Sequence, residues 1–226
     1  MKKNLTPAQE AFLRKVFSSD QDEREQVITL LDPKIQQDAR NLIKVRRDFQ
    51  LLIPVLMSDL GHASCEMNEN PGDQFWRRMA IRALAATLDG MMFSLKQLTL
   101  GAGKMTGFTF SDEELFLLNE GKTESKGTKK GRLPGFRDNI KQTFKLFARV
   151  NRVPCPTDFG QSGFEALCET YELRHRLMHP KSFMNFCVND EEKKKAGDAI
   201  RWLAEEGQKL LAASSQSLDN FDTWSK

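Results

Sequence analysis

Three times in this chain a helix-capping residue stands directly before a proline, at Thr6-Pro7, Asp32-Pro33 and Asn70-Pro71. The capping side chain satisfies a free N–H of the first turn, and proline at the first helical position gives up an N–H that has no intrahelical partner. Each pair opens a run with helical spacing. Phe12, Leu13, Val16 and Phe17 follow the first, and Asp20 opens a second short helix with Val27, Ile28, Leu30 and Leu31. The third run holds Ile35, Ala39, Leu42, Ile43, Val45, Phe49, Leu52 and Ile53 up to Pro54, where a kink or stop is expected. Residues 61–71 then read as a loop. Beyond Asn70-Pro71 comes the most apolar helix, through Ile81, Leu84, Leu88, Met91, Met92, Leu95 and Leu98, expected at the centre of a bundle. The methionine pair and the phenylalanines read as core.

Ser111-Asp112-Glu113-Glu114 has the form of a capping box ahead of a brief helix. Residues 121–135 place Lys122, Lys126, Lys129, Lys130 and Arg132 among glycine, serine and threonine with almost nothing to bury, which predicts a mobile basic loop. Helical spacing returns with Phe136, Ile140, Phe144, Leu146, Phe147 and Val150, is broken at Pro154 and Pro156, and resumes over residues 164–178. A last helix from about Asp190 carries Ala199, Ile200, Leu203, Leu210 and Leu211, and the polar chain after Ala213 is expected to fray. Only residues 183–188 approach a period of two. The expected class is all-α, divided into an N-terminal helical extension (1–69), a helical domain (70–215) and a polar tail (216–226).

A content of 39% hydrophobic and 29% charged residues fits a folded globular chain. With 34 basic and 31 acidic residues the formal charge is only +3, so any nucleic-acid-binding surface must be local. Met1-Lys2-Lys3 is not followed by the apolar run of a secretory signal. The richest apolar stretch, 81–98, contains Arg82, Thr87, Asp89 and Lys96, which argues against a membrane span. Cys65, Cys155, Cys168 and Cys187 form no C-x-x-C pair and read as cytosolic thiols. A cytoplasmic location is expected.

On the helix that begins at Phe164, positions 164, 167, 168, 171, 174, 175 and 178 share one side. They are Phe, Leu, Cys, Tyr, Arg, His and Met, so an apolar stripe leads into Arg174 and His175. A guanidinium on a packed face requires a carboxylate, a phosphate or a partner surface. His179 would lie ~7.5 Å farther along a continuous helix and well around it. Pro180, however, disfavours the helical conformation at His179, which lets the imidazole turn back toward the arginine.

Arg174, four intervening residues and His179 resemble the R-x4–6-H motif of HEPN-domain ribonucleases, and His175 fits the polar residue that often follows the arginine there. The order of elements is similar as well: an apolar helix over 75–98 bearing Asp89, the motif helix, then a helix over 191–213. The resemblance covers residues from Asn70 on and leaves 1–69 unassigned. It implies a helical bundle, a homodimer with the motif helices facing each other, and metal-independent cleavage of RNA by attack of the 2′-hydroxyl on the adjacent phosphate. A proton-transfer group and a phosphate-binding cation meet that need, and histidine, which titrates near ~6.5, and arginine supply them. On this reading Arg174, His175 and His179 are catalytic. Arg176, Lys181, Lys129 and Lys130 contact substrate, and Asp89 is the arginine's partner. The resemblance also implies a toxin or defence effector with an antitoxin or other defence-system partner protein, and no cofactor.

Plainer uses fit the same residues. Arg174 can pair with an internal acid and His179 can cap the helix C-terminus, which favours a cation. Asp89 can belong to a solvated stripe with Arg78, Arg82 and Lys96, and the whole domain can be a non-catalytic binding module. His175 and His179 make an H-x3-H pair, but Cys168 is two turns away and Pro180 spoils the face, so no metal is expected. Gly101-Ala102-Gly103-Lys104 and Gly121-Lys122-Thr123 lack the glycine spacing of a P-loop. The basic loop is expected to add salt-dependent RNA affinity.

Overall fold

The structure, a computed structural model, describes residue 26 and residues 28–121 and 133–219. Every regular element among them is helical: α1 (Pro33–Glu69), α2 (Gln74–Thr106), α3 (Asp112–Leu118), α4 (Phe136–Val150), α5 (Ser162–Met178), α6 (Phe183–Phe186) and α7 (Asp190–Asp219). The protein is all-α. None of these helices is long and apolar enough to cross a membrane. The helices expected before residue 26 and the basic loop, with Lys129 and Lys130, lie outside the described residues.

Two compact units are present. One takes its described residues from Met1–Asp48, Ser94–Cys155 and Leu210–Lys226, the other from Phe49–Phe93 and Pro156–Lys209. In the first, buried Leu118, Leu146 and Val150 pack with Leu100, Ala102, Phe108 and Phe110. The capping box that starts α3 is complete: the Glu114 N–H donates to the Ser111 hydroxyl and the Ser111 N–H to the Glu114 carboxylate. Lys96, buried and not part of a solvated stripe, pairs with Glu120 at 3.6 Å.

The second unit carries the motif. Ala63, Met67 and Ala80 join α1 to α2, and the Thr87 hydroxyl donates to the Leu56 carbonyl at 3.1 Å. Ile81, Leu177, Val188 and Ala196, with Leu173, join α2, α5 and α7. Phe164 and Trp202 pack at 5.1 Å between ring centroids, with Phe159 5.2 Å from Phe164. The Trp202 indole donates to the Asp158 carbonyl, and the Asp158 N–H donates to the fully buried Glu206 carboxylate.

Four expectations are corrected. Pro54 neither stops α1 nor leaves 61–71 a loop: the helix continues to Glu69. Burial of Leu60, Ala63 and Met67, at steps of three and four, outweighs the one backbone hydrogen bond that proline removes. In 183–188, the one stretch that approaches a period of two, residues 183–186 form a helical turn, which the Ser182 hydroxyl closes by accepting the Asn185 N–H. The last helix runs past Ala213 to Asp219. Not all phenylalanines are core, since Phe75, Phe93 and Phe183 are half or more exposed.

Two glycines give a paired test of this packing. A Cβ at Gly163 would stand 2.6 Å from Trp202 Cβ, whereas one at Gly61 would meet nothing within 4 Å. Gly163→Ala should therefore lower stability by ~1–3 kcal/mol through overpacking. Gly61→Ala, in open space within α1, should raise it by ~0.5–1 kcal/mol. Urea midpoints of the two variants that move in the same direction would contradict this account.

Candidate functional site

Every described candidate residue belongs to the second unit. Helix α5 ends at Met178, and the residue before Pro180 leaves the helical region with φ −131° and ψ 59°. The His179 N–H still donates to the His175 carbonyl at 3.1 Å, so the last turn closes before the chain departs.

The stripe read from the sequence does not stay on the core. Phe164, Leu167 and Cys168 are buried, Tyr171 and Arg174 are half-buried, and His175 and Met178 are exposed. In the last two turns the core side passes to Thr170, Leu173 and Leu177. Arg174 is therefore not a cation on a packed face. Its side chain, 31% exposed, reaches Asp89 on α2 at 3.6 Å.

Tyr171 joins this group. Its hydroxyl donates to Asp89 Oδ1 at 2.9 Å, its ring centroid lies 5.6 Å from the Arg174 guanidinium carbon, and it meets the His175 ring edge-on at 5.6 Å. One side chain thus touches Asp89, Arg174 and His175. Burial and then the hydrogen bond to Asp89, helped by that carboxylate's charge, push the Tyr171 phenol up to about 12, against an opposing effect of Arg174. The sequence placed Tyr171 on the stripe as a packing residue. The signal for more was its spacing, three residues before Arg174 and four before His175, which puts all three on one surface.

The contacts that gather Asp89, Tyr171, Arg174 and His175 do not include His179, which is exposed at the helix end. Lys181 is exposed two residues later. Arg176 is engaged elsewhere: its guanidinium donates to the Cys187 carbonyl and to Glu192, both at 3.0 Å. Glu192 also forms a capping box with Asn189 at the start of α7. Among the described residues no group of three or more His, Cys, Asp or Glu is placed to share a metal ion. What the arrangement offers chemically is a guanidinium with one weak carboxylate partner, the accessible His175 imidazole on the same face, and His179 exposed apart from them at the helix end. No protein-family model, curated protein or solved structure matches the chain.

Tyr171 is the chain's one tyrosine, so phenolate absorbance reports this site alone. A phenol raised to about 12 keeps its proton in the folded state after the unfolded chain, at ~10, has lost it. The folded state then binds more protons, and stability falls as pH rises from about 10 toward 12. In an alkaline titration the folded protein should show little phenolate at pH ~11, where the urea-unfolded chain is largely ionised. Asp89→Asn should bring the folded midpoint down. A folded midpoint of ~10 would contradict the Tyr171–Asp89 bond.

Proposed function

We propose that this chain is a metal-independent endoribonuclease of the HEPN type. The observation that carries the reading is the exposed, proline-broken end of α5, where Arg174, held by Asp89 and Tyr171, and His175 share a face and His179 leaves the helix. In the proposed reaction the 2′-hydroxyl of RNA attacks the adjacent phosphorus and the bond to the 5′-oxygen of the next nucleotide breaks. A cyclic phosphate and a 5′-hydroxyl result. His179 transfers a proton, and Arg174 binds the phosphate oxygens as negative charge develops on them. His175 orients Arg174 or the RNA.

Because the Arg174 cluster omits His179, this mechanism calls for a homodimer in which two α5 ends face each other. Lys181 is available to phosphate as it stands, Lys129 and Lys130 would act from the basic loop, and Arg176 would have to leave Glu192. A cytoplasmic toxin or defence effector restrained by a partner protein follows from the resemblance alone. The Arg174–Asp89 pair also fits a second reading, a non-catalytic RNA-binding or interaction module, since it gives the guanidinium a structural use between α5 and α2.

His179→Ala and Arg174→Ala should each lower RNA cleavage in EDTA by ~10²–10⁴-fold. Thermal midpoints should move little, because His179 is exposed and the Arg174–Asp89 pair, partly exposed on both sides, is worth at most ~1 kcal/mol. Arg174→Lys should recover part of the rate, keeping charge without the bidentate fork. Light scattering should report about twice 25.8 kDa. Cleavage by His179→Ala at the wild-type rate, or a wild-type enzyme that needs added metal, would refute the assignment.

A further inference from the structure

We propose that Phe183 is a stacking platform for an unpaired base of single-stranded RNA, next to the helix end that carries His179. The inference takes its substrate from the ribonuclease reading but stands on different residues. Phe183 and Met184 are 79% and 72% exposed, the most exposed large apolar side chains among the described residues.

They do not sit on a slack loop. The Ser182 hydroxyl accepts the Asn185 N–H, and the Cys187 N–H donates to the Met184 carbonyl, so α6 is a closed turn. Its far end is held by α2 and α5. The Arg78 guanidinium lies 4.1 Å from the Phe186 ring centroid and that of Arg82 5.9 Å. Arg176 donates to the Cys187 carbonyl at 3.0 Å. The Val188 carbonyl accepts from Arg77 and Gln74, and the Val188 N–H donates back to Gln74. A ring presented to solvent from a fixed backbone loses little freedom on binding a flat partner.

Charge selects the occupant. Residues 179–189 include Lys181 and no Asp or Glu, and Arg78 and Arg82 flank Phe186 behind the turn. Of the acidic residues that follow, Asp190 and Glu192 are paired with Arg77 and Arg176, so an apolar ring near Lys181, Arg78 and Arg82 fits a polyanion with exposed π-faces, which is the combination that binds single-stranded nucleic acid. A duplex hides those faces. At ~3.6 Å per residue the Lys181 Cα lies within ~7 Å of the Phe183 Cα, and that of His179 within ~14 Å, so the ring lies near both along the strap.

The test uses the full chain and a fluorescein-labelled single-stranded oligoribonucleotide with 2′-O-methyl groups throughout, which 2′-hydroxyl attack cannot cleave. By anisotropy, Phe183→Leu and Phe183→Ala should each weaken binding about 5- to 150-fold, and Phe183→Trp should retain it. The matching duplex should be indifferent to all three. With 2-aminopurine in the strand, binding should quench its fluorescence in the wild type and not in Phe183→Leu. Wild-type affinity in Phe183→Leu would overturn the proposal. So would a change in particle mass without a change in affinity, which would assign the ring to a second copy. If ring-dependent binding is found but ordinary RNA is never cleaved, the ribonuclease reading fails and the stacking site stands. Cleavage with no dependence of binding on Phe183 gives the reverse.

Discussion

Arg77 is a buried guanidinium whose acceptors come from two distant parts of the chain. Its Nε donates to the Pro71 carbonyl and its Nη1 to the Val188 carbonyl, each at 2.8 Å, and its Nη2 reaches Asp190 at 2.6 Å. A buried cation without such partners would cost several kcal/mol, which favours a fold that brings these acceptors to it. Together they fix the turn into α2, the end of the strap after His179, and the first residue of α7. Arg176, on α5, repeats the device, binding the Cys187 carbonyl and the glutamate of the α7 capping box. The geometry around the end of α5 rests on these arginines together with the apolar cluster of Ile81, Leu173, Leu177, Val188 and Ala196.

What the sequence discloses about the fold is what is decided within a turn or two. The Asp32-Pro33 signal marks the start of α1 and the capping box that of α3, because caps are local hydrogen bonds. Asn70-Pro71, by contrast, falls short of α2: Asn70 closes the end of α1 on the Glu66 carbonyl, and Asp73, whose carboxylate accepts the Phe75 N–H, stands before Gln74. Pro54 and the polar run after Gly61 misled for the complementary reason. Their outcome is set by Ala63 and Met67 finding Ala80, Trp76 and Met79 on another helix, which no window along the chain displays. The exposure of Phe75, Phe93 and Phe183 is likewise a tertiary fact, invisible in residue type.

The candidate site divides along the same line. That Arg174 and His175 share a surface and that the chain leaves the helix at His179 were legible because helical spacing and proline act locally, and the Arg174–Asp89 contact was suggested by the resemblance. Tyr171 looked like packing, since an aromatic at a stripe position is ordinary until its hydroxyl has a partner. That partner is 82 residues away. The partners of Arg77 at Val188 and Asp190 are 111 and 113 residues away, so its role as an anchor could not be read from its neighbours.

The Arg174–Asp89 pair bears on both functional readings, and its geometry decides how much weight it carries. At 3.6 Å, with the side chains 31% and 47% exposed, it falls among surface pairs worth at most ~1 kcal/mol. A guanidinium has five N–H donors, and one long contact to one carboxylate oxygen leaves most of them for a second anion. Asp89 in turn keeps the Tyr171 hydroxyl at 2.9 Å whether or not Arg174 stays. The carboxylate therefore does not need the arginine, and the arginine is oriented without being saturated. A phosphate that accepts two parallel N–H bonds would outcompete this contact at little cost to the fold. The pair is compatible with catalysis and no obstacle to it; what separates the enzyme from the binding module is whether a partner's α5 end brings an imidazole to that phosphate.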